Sequence, residues 1–443
     1  MKYDHWLFQR IQGFKQNVVL ETYDEALMYS ELIIKVDLEV AKFQNNNIGQ
    51  DSRVCIVGDF STDTLVCILA AIKIGALIIP IAEQSIVEID YVNQVCATTH
   101  IVNVKSQSIE HLQLGNACAD ISNFQEKLTP GFILFSSGTT GKPKGMLLSF
   151  ERMIERFTKS RPLRKSITLL MIDHFGGINT IFGILANGAS FVIPRTRAVH
   201  DICESVEMFK VETLPTTPSF LNLLISSGAT DKYDLSSVNR ITYGTEVMPK
   251  ATLRQAQKLF PKAKFQQTYG LSEVGVLASK SRSDGSLWVK LGGDGFEIKV
   301  IDGTLWVKSK FSIECYLNSE EEYEKDGWFN TKDKVEVDGD WLKILGRSTD
   351  IITVGGQKVY PAEVESIIID HPDVIDCKVY AEKHALLGQL ICCDVVMTAE
   401  YTHKLVKQTL LPYCRGKLAA FKVPSKYKAV QSLITQRQKK SRK

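Results

Sequence analysis

Three consecutive segments constrain this chain more than any other feature. Arg53-Val54-Cys55-Ile56-Val57 is a strand-like apolar run, Thr62 to Ile74 follows as a helix, and Leu77-Ile78-Ile79-Pro80-Ile81 is another strand. Strand, helix and strand in close succession predict parallel pairing across a crossover, and with it α/β architecture. The order returns downstream: a strand over Ser166 to Ile172, a helix over Asn179 to Asn187, a strand over Gly188 to Pro194, a helix over Val199 to Lys210, then a turn at Leu214 to Pro218. After Asp284 the texture changes, and the short runs Glu297-Ile298-Lys299-Val300 and Thr304-Leu305-Trp306-Val307-Lys308, separated by Asp-Gly, read as antiparallel hairpins. From Asp350 a smaller portion begins, with a helix around Pro361 to Asp370 and strands near Asp376 to Tyr380 and Gln389 to Met397. The expected fold is therefore a large N-terminal α/β region of several subdomains with mixed sheets, joined to a small C-terminal α+β domain.

Composition removes whole classes. With 443 residues, 44% hydrophobic and 23% charged, the chain is that of an ordinary globular protein and not a disordered or collagenous one. A net charge of +3 does not argue for nucleic acid, and the basic cluster Arg437, Lys439, Lys440, Arg442 and Lys443 reads by itself as a solvated tail. The 10 cysteines include no CxxC pair, so reduced, mostly buried thiols are expected in place of a metal site or a disulfide framework. The N-terminal MKYDHWLFQRIQGFKQ lacks the apolar core of a secretory signal, and the apolar stretch Leu65 to Ala82 is interrupted by Lys73, Gly75 and Pro80. A cytoplasmic chain with no membrane span is the expectation.

The segment richest in chemistry is Phe132 to Gly145, an apolar strand that feeds Ser136-Ser137-Gly138-Thr139-Thr140-Gly141-Lys142-Pro143-Lys144-Gly145. Glycines admit an anion to backbone N–H groups, hydroxyls add donors and lysines add charge, which is what a polyphosphate requires. The spacing is not GxxxxGK[ST], and the plain alternative is a flexible surface turn.

SSGTTGKPKG resembles the phosphate loop of the adenylate-forming superfamily of acyl-CoA synthetases, peptide-synthetase adenylation domains and firefly luciferase. Further segments follow in that superfamily's order: Tyr269-Gly270-Leu271-Ser272-Glu273 is similar to its YGxTE, Gly327 to Asp333 to its GWFxTGD, and Gly346-Arg347-Ser348-Thr349-Asp350 to its hinge. Gly355 to Glu365 and Thr435 to Arg442 complete the set. The resemblance implies a two-step ligase that activates a carboxylate with ATP and Mg²⁺ and passes the acyl group to coenzyme A or to the phosphopantetheine of a carrier protein acting in trans. It implies that Ser136 to Gly145 hold the outer phosphates, that Glu273 binds Mg²⁺, and that Ser272 reaches the α-phosphate. Tyr269 and Gly270, with Gly244, Thr245 and Glu246, would border adenine. Asp333 would take the ribose hydroxyls, Arg347 would add a nucleotide contact, and Lys439 would serve the α-phosphate and the attacking carboxylate.

Two departures stand out. Lys332 and Gln438 each occupy a position where the motif has glycine; Lys332 narrows the backbone choices if that position needs positive φ. The resemblance further implies domains at 1–346 and 352–443 about a hinge at 347–351, with the C-terminal domain mobile and Gly355 and Gly356 passing a thin pantetheine arm. A simple hairpin turn is the alternative for those two glycines. His174 falls where aryl and acyl ligases flank the acyl group, and Phe175 stands where amino-acid-activating members carry an aspartate. A small-molecule carboxylic acid without an α-amino group is thus favoured, with Gly176 and Gly177 leaving room for an aryl or aliphatic chain. Amino-acid adenylation and a nucleotide-binding protein without turnover are the other readings.

Overall fold

A computed structural model describes residues 5–433 except 84, 86, 114–115, 137–141, 163, 284, 320–325, 385–387 and 400–401. The chain divides into two compact units, one built from residues 1–197, 271–276 and 309–327 and the other from 198–270, 277–308 and 328–443.

The first unit contains the predicted strand–helix–strand. Arg53–Val57 pairs in parallel with Leu77–Ile81 and with His100–Asn103, and Leu77–Ile81 pairs in parallel with Gly131–Ser136. Gly131–Ser136 then turns into an antiparallel pair with Lys144–Ser149, on whose far side lies the short strand Cys315–Tyr316. The sheet is consequently mixed, ending in antiparallel strands on both edges. Apart from Arg53 at the start of its strand, its central strands are apolar because both faces are covered, as expected of parallel strands flanked by helices. The helix Thr62–Ile74 is capped by the Ser61 hydroxyl and stopped by Gly75 in the left-handed region, φ 91°. A second group of strands in this unit sets Val18–Glu21 between Ser190–Val192, in parallel, and Ala26–Met28, antiparallel.

The second unit holds a parallel ladder of Thr213–Thr216, Arg240–Tyr243 and Lys264–Gln267. Leu214 to Thr216 therefore lie in a strand and not in the expected turn. The prolines that suggested a turn are both compatible with regular structure: Pro215 sits extended, and Pro218 opens the helix Pro218–Ser226 behind the Thr217 cap. The hairpins expected after Asp284 are present as Phe296–Ile301 and Thr304–Ser309, joined through Asp302 and Gly303 at φ 48° and 67°. Trp328–Asp338 and Trp341–Arg347 extend this antiparallel sheet.

The C-terminal part of this unit has its own sheet, centred on the long antiparallel pair Val374–His384 and Gly388–Met397, backed by the helices Pro361–Ile369 and His403–Lys417. Helix Lys250–Leu259 meets it through Ala251 in the same apolar cluster, an Arg254–Asp370 ion pair at 2.5 Å, and Thr252, whose hydroxyl donates to Asn222 Oδ1 at 2.6 Å. The Asn222 amide donates in turn to the buried Asp376 carboxylate at 3.3 Å. All 10 cysteines are free thiols, mostly buried, as expected; burial pushes Cys55 up to about 12 and keeps it a protonated, unreactive thiol.

Candidate active site

The strand Gly131–Ser136 delivers the chain into the Gly/Ser/Thr loop, and Lys144–Ser149 carries it out again. Ser136 and Lys144 are register partners at the foot of that loop. Ser137, Gly138, Thr139, Thr140 and Gly141 lie outside the described residues. Lys142 is exposed, whereas Lys144 is buried at 8% exposure, with its ammonium 5.5 Å from the centre of the Tyr316 ring. An ammonium over an aromatic face is attracted by the negative face of the ring.

Ser272 and Glu273 belong to the same unit as the loop, and both are half-buried. The Glu273 backbone carbonyl accepts from Ile313 N at 2.9 Å, and its carboxylate Oε1 accepts from the Tyr316 hydroxyl at 3.0 Å. The foot of the loop is tied down from the same direction. Asn318 donates from Nδ2 to the Pro143 carbonyl at 2.9 Å and accepts at Oδ1 from Gly145 N at 2.9 Å, while Tyr91 donates to the Pro143 carbonyl at 3.1 Å.

His174 caps the helix Phe175–Leu185: its Nδ1 accepts from Gly176 N at 3.1 Å. The helix starts four residues before the expected Asn179 because a cap followed by two glycines carries little helical propensity to read. Phe175 is buried in the main apolar cluster, and Asp173 is buried too. The expected room at Gly177 is not there for an acyl chain. A Cβ at that position would lie 2.0 Å from the Met171 carbonyl oxygen, so the glycine serves the close packing of the helix start on its own preceding loop. At Gly176 the space is bounded by Leu170 and His174 side chains, 2.9 and 3.4 Å from such a Cβ.

In the second unit Tyr269 and Asp333 are both buried, and the Tyr269 hydroxyl donates to Asp333 Oδ2 at 2.6 Å. Burial first, and then the adjacent Asp333 carboxylate, push this hydroxyl well above the usual phenol range, so it stays a donor. Asp333 pairs in register with Arg347 across the antiparallel strands, and Arg347 Nε stands 3.8 Å from Asp333 Oδ1 with its side chain half exposed. The preceding residue, Lys332, has φ 62°, the left-handed conformation that the motif's glycine would adopt without strain. Its N–H donates to Asn330 Oδ1 at 2.9 Å, which helps to hold that turn.

Gly244, Thr245 and Glu246 follow the strand Arg240–Tyr243. A Cβ at Gly244 would fall 2.4 Å from Thr268 Oγ1 and 2.8 Å from its carbonyl, so only glycine fits. Thr245 stands at φ 70°, an outlier for a β-branched residue and the kind of stored strain that collects at binding sites. Glu246 Oε2 accepts from both the backbone N, 3.1 Å, and the hydroxyl, 2.7 Å, of Ser219 in the first turn of its helix. Gly270 is exposed beside Tyr269. Gly355 and Gly356, at φ 53° and 81°, form the exposed turn between Ile352–Val354 and Gln357–Val359, which is the hairpin alternative in geometry. Lys439 and Gln438 lie outside the described residues.

Tyr316, Asn318 and Tyr91 are the residues that sequence reading passed over. Cys315-Tyr316-Leu317-Asn318 carries no spacing signal, because what it touches lies far away in the chain. Among the described residues no group of three or more His, Cys, Asp or Glu side chains could hold a metal. A single half-buried carboxylate such as Glu273 still fits a Mg²⁺ that arrives on nucleotide phosphates, since that ion takes only one or two carboxylates and fills its shell with phosphate oxygens and water. No helix among the described residues is long and apolar enough to cross a membrane.

These features define an adenylate-forming protein, and comparison with known families agrees. The AMP-binding enzyme profile matches residues 7–305 and that family's C-terminal domain matches residues 363–440; the chain belongs to the AMP-binding enzyme family. Among curated relatives it is 27% identical over 409 residues to 4-coumarate--CoA ligase-like 9 of Arabidopsis thaliana, covering 80% of this chain and 73% of that protein. It is 28% identical over 323 residues to indoleacetate--CoA ligase of Aromatoleum aromaticum, covering 67% and 62% of the two. It is 27% identical over 313 residues to luciferin 4-monooxygenase of Photuris pensylvanica, covering 63% and 56%. In the last two the match spans less than two thirds of the relative. The fold is that of the anthranilate CoA ligase AuaEII solved with anthranoyl-AMP, TM-score 0.83 at 18% identity over 99% of this chain and 96% of that one. It is likewise that of ATP-bound MatB from Rhodopseudomonas palustris, TM-score 0.77 at 22% identity over 96% and 95%.

Proposed function

We propose that this protein is an AMP-forming acid–thiol ligase that activates an aryl or aliphatic carboxylic acid and transfers the acyl group to the thiol of coenzyme A or of a carrier-protein pantetheine. The observation that carries the reading is family membership together with the buried Tyr269–Asp333 pair and the Glu273 carboxylate, which stand at the motif positions for ribose and metal. CoA ligases among the curated relatives support the thiol acceptor.

A carboxylate is a poor electrophile. In the first step its oxygen attacks the α-phosphorus of ATP, the bond from that phosphorus to the bridging oxygen breaks, and pyrophosphate leaves. The two reactants are both anions, so the chain must supply positive charge and fixed donors. Lys144 and Lys142, with the hydroxyls and N–H groups of 136–141, would do so at the outer phosphates, and Lys439 at the reacting centre. Mg²⁺, when bound through Glu273, would neutralise phosphate charge. Ser272 would donate to the α-phosphate. Asp333 would accept from the ribose, its second oxygen already fixed by Tyr269, while Arg347 would lie along the sugar-phosphate. Gly244, Thr245 and Glu246 would form the wall beside adenine. In the second step the thiol sulfur attacks the acyl carbonyl, the thiol proton is lost, and AMP leaves. Residues 352–443 would rotate about 347–351 between the steps, bringing Gly355 and Gly356 to the pantetheine arm.

His174 would border the acid, and the phenyl ring at 175 in place of a carboxylate favours a substrate without an α-amino group. The test is acid-dependent ATP–pyrophosphate exchange over a panel of aryl, aliphatic and amino acids, with Lys439→Ala beside the parent. Exchange with one acid class, lost in the variant, is the expected result. Exchange with amino acids alone would reverse the substrate assignment, and none with any acid despite ATP binding would favour a nucleotide-binding protein without turnover.

A further inference from the structure

Tyr316 touches two groups that the functional reading uses and that reading leaves Tyr316 itself without a role. Its hydroxyl donates to Glu273 Oε1 at 3.0 Å, and its ring lies under the Lys144 ammonium, 5.5 Å from the ring centre. The residue is placed by the short strand Cys315–Tyr316, which pairs with Met146 and Leu147 directly after the phosphate loop. Backbone bonds on either side fasten that strand: Ile313 N to the Glu273 carbonyl at 2.9 Å, Glu314 N to the Leu147 carbonyl at 2.7 Å, and Leu317 N to the Gly145 carbonyl at 2.9 Å. Asn318 completes the strap by holding Pro143 and Gly145.

One side chain thus spans the acid and the lysine. A carboxylate that accepts a hydrogen bond from a fixed hydroxyl loses rotational freedom and presents its other oxygen in a set direction. An ammonium over a ring face is attracted to it and so held at a set distance. Given the proposed function, we infer that Tyr316 is a positioning residue for the metal–nucleotide complex: its hydroxyl aims Glu273 at the divalent cation, and its ring holds Lys144 toward the phosphates.

The two halves of the side chain separate by substitution. Tyr316→Phe removes the hydroxyl and keeps the ring; Tyr316→Leu removes both. The full chain is titrated with ATP in EDTA by calorimetry, and with Mn²⁺ at saturating ATP by the paramagnetic resonance of free Mn²⁺, with no acid present so that nothing turns over. For Tyr316→Phe the Mn²⁺ dissociation constant is expected to rise about tenfold, the size of effect that loss of a group orienting a metal ligand produces, with metal-free ATP affinity unchanged. Tyr316→Leu is expected to weaken metal-free ATP binding as well. Equal weakening of ATP binding with and without metal in Tyr316→Phe would mean a general packing role and overturn the inference. So would parent-like Mn²⁺ binding in Tyr316→Phe while Glu273→Gln loses it. Failure of the parent to bind ATP or Mn²⁺ at all would instead overturn the functional reading, and the inference with it.

Discussion

Lys332 is an ordinary lysine in an unusual conformation. At φ 62° it incurs about 1–2 kcal/mol of left-handed strain, set against the roughly 0.5–1 kcal/mol of extra chain entropy that a glycine loses on folding. Lys332→Gly should therefore stabilise the protein by about 0.5–1 kcal/mol, read as a rise in the urea midpoint with the slope unchanged. The neighbouring Asp333 is the reverse case, since its buried carboxylate depends on the Tyr269 hydroxyl at 2.6 Å. Tyr269→Phe should cost about 1–3 kcal/mol in the same urea titration, because it leaves a desolvated acceptor without that donor. A cost near zero would show that Asp333 is compensated by Arg347 or by water. The expectation that a side chain at 332 would be constrained was legible from the motif. That the constraint is met by a lysine holding positive φ, beside an Asn330 bond, was not.

The helix Phe175–Leu185 begins where its sequence looks least helical, on a His174 cap and two glycines. Gly177→Ala would place a methyl 2.0 Å from the Met171 carbonyl, a backbone atom that cannot swing aside; Gly176→Ala meets the flexible Leu170 end at 2.9 Å. Thermal unfolding should show the first variant destabilised by about 1–3 kcal/mol or more and the second by clearly less. Equal effects would point to lost backbone freedom in place of the contact. The strands Arg53–Val57 and Leu77–Ile81 were readable because their apolar runs report burial on both faces. Thr213–Thr216 was not, because Thr and Pro in an extended ladder look locally like a turn, and only pairing with Arg240–Tyr243 distinguishes the two.

At the scale of the whole molecule, stability against acid offers a test. Within the first unit Asp59 meets Arg197 through two bonds of 2.7 Å, Oδ2 from Nη1 and Oδ1 from Nη2, and Arg197 Nε also donates to the Leu169 carbonyl at 3.1 Å. Burial pushes the Asp59 carboxyl up, but the guanidinium bonds and charge and the Phe60 N–H outweigh it, leaving the group below its ordinary range. A carboxylate lowered in the folded state contributes stability that is full above its unfolded value of about 3.9 and fades as pH falls through the folded one. Melting temperature should drop more steeply for the parent than for Asp59→Asn between about pH 5 and pH 3, with the parent the more stable of the two at pH 7. Parallel curves would show that the pair contributes nothing.

Apolar runs, caps and the ordered motifs were enough for the α/β class and the family, because burial periodicity and loop chemistry are local properties of a chain. The contacts that give those positions their character are not local. Tyr269 with Asp333, Tyr316 with Glu273, and Asn318 with Pro143 join residues far apart in sequence, and a hydrogen bond between distant strands leaves no periodic trace in either of them. The same holds for the space at Gly177 and the positive φ of Thr245, which were decided by what the folded backbone brought together.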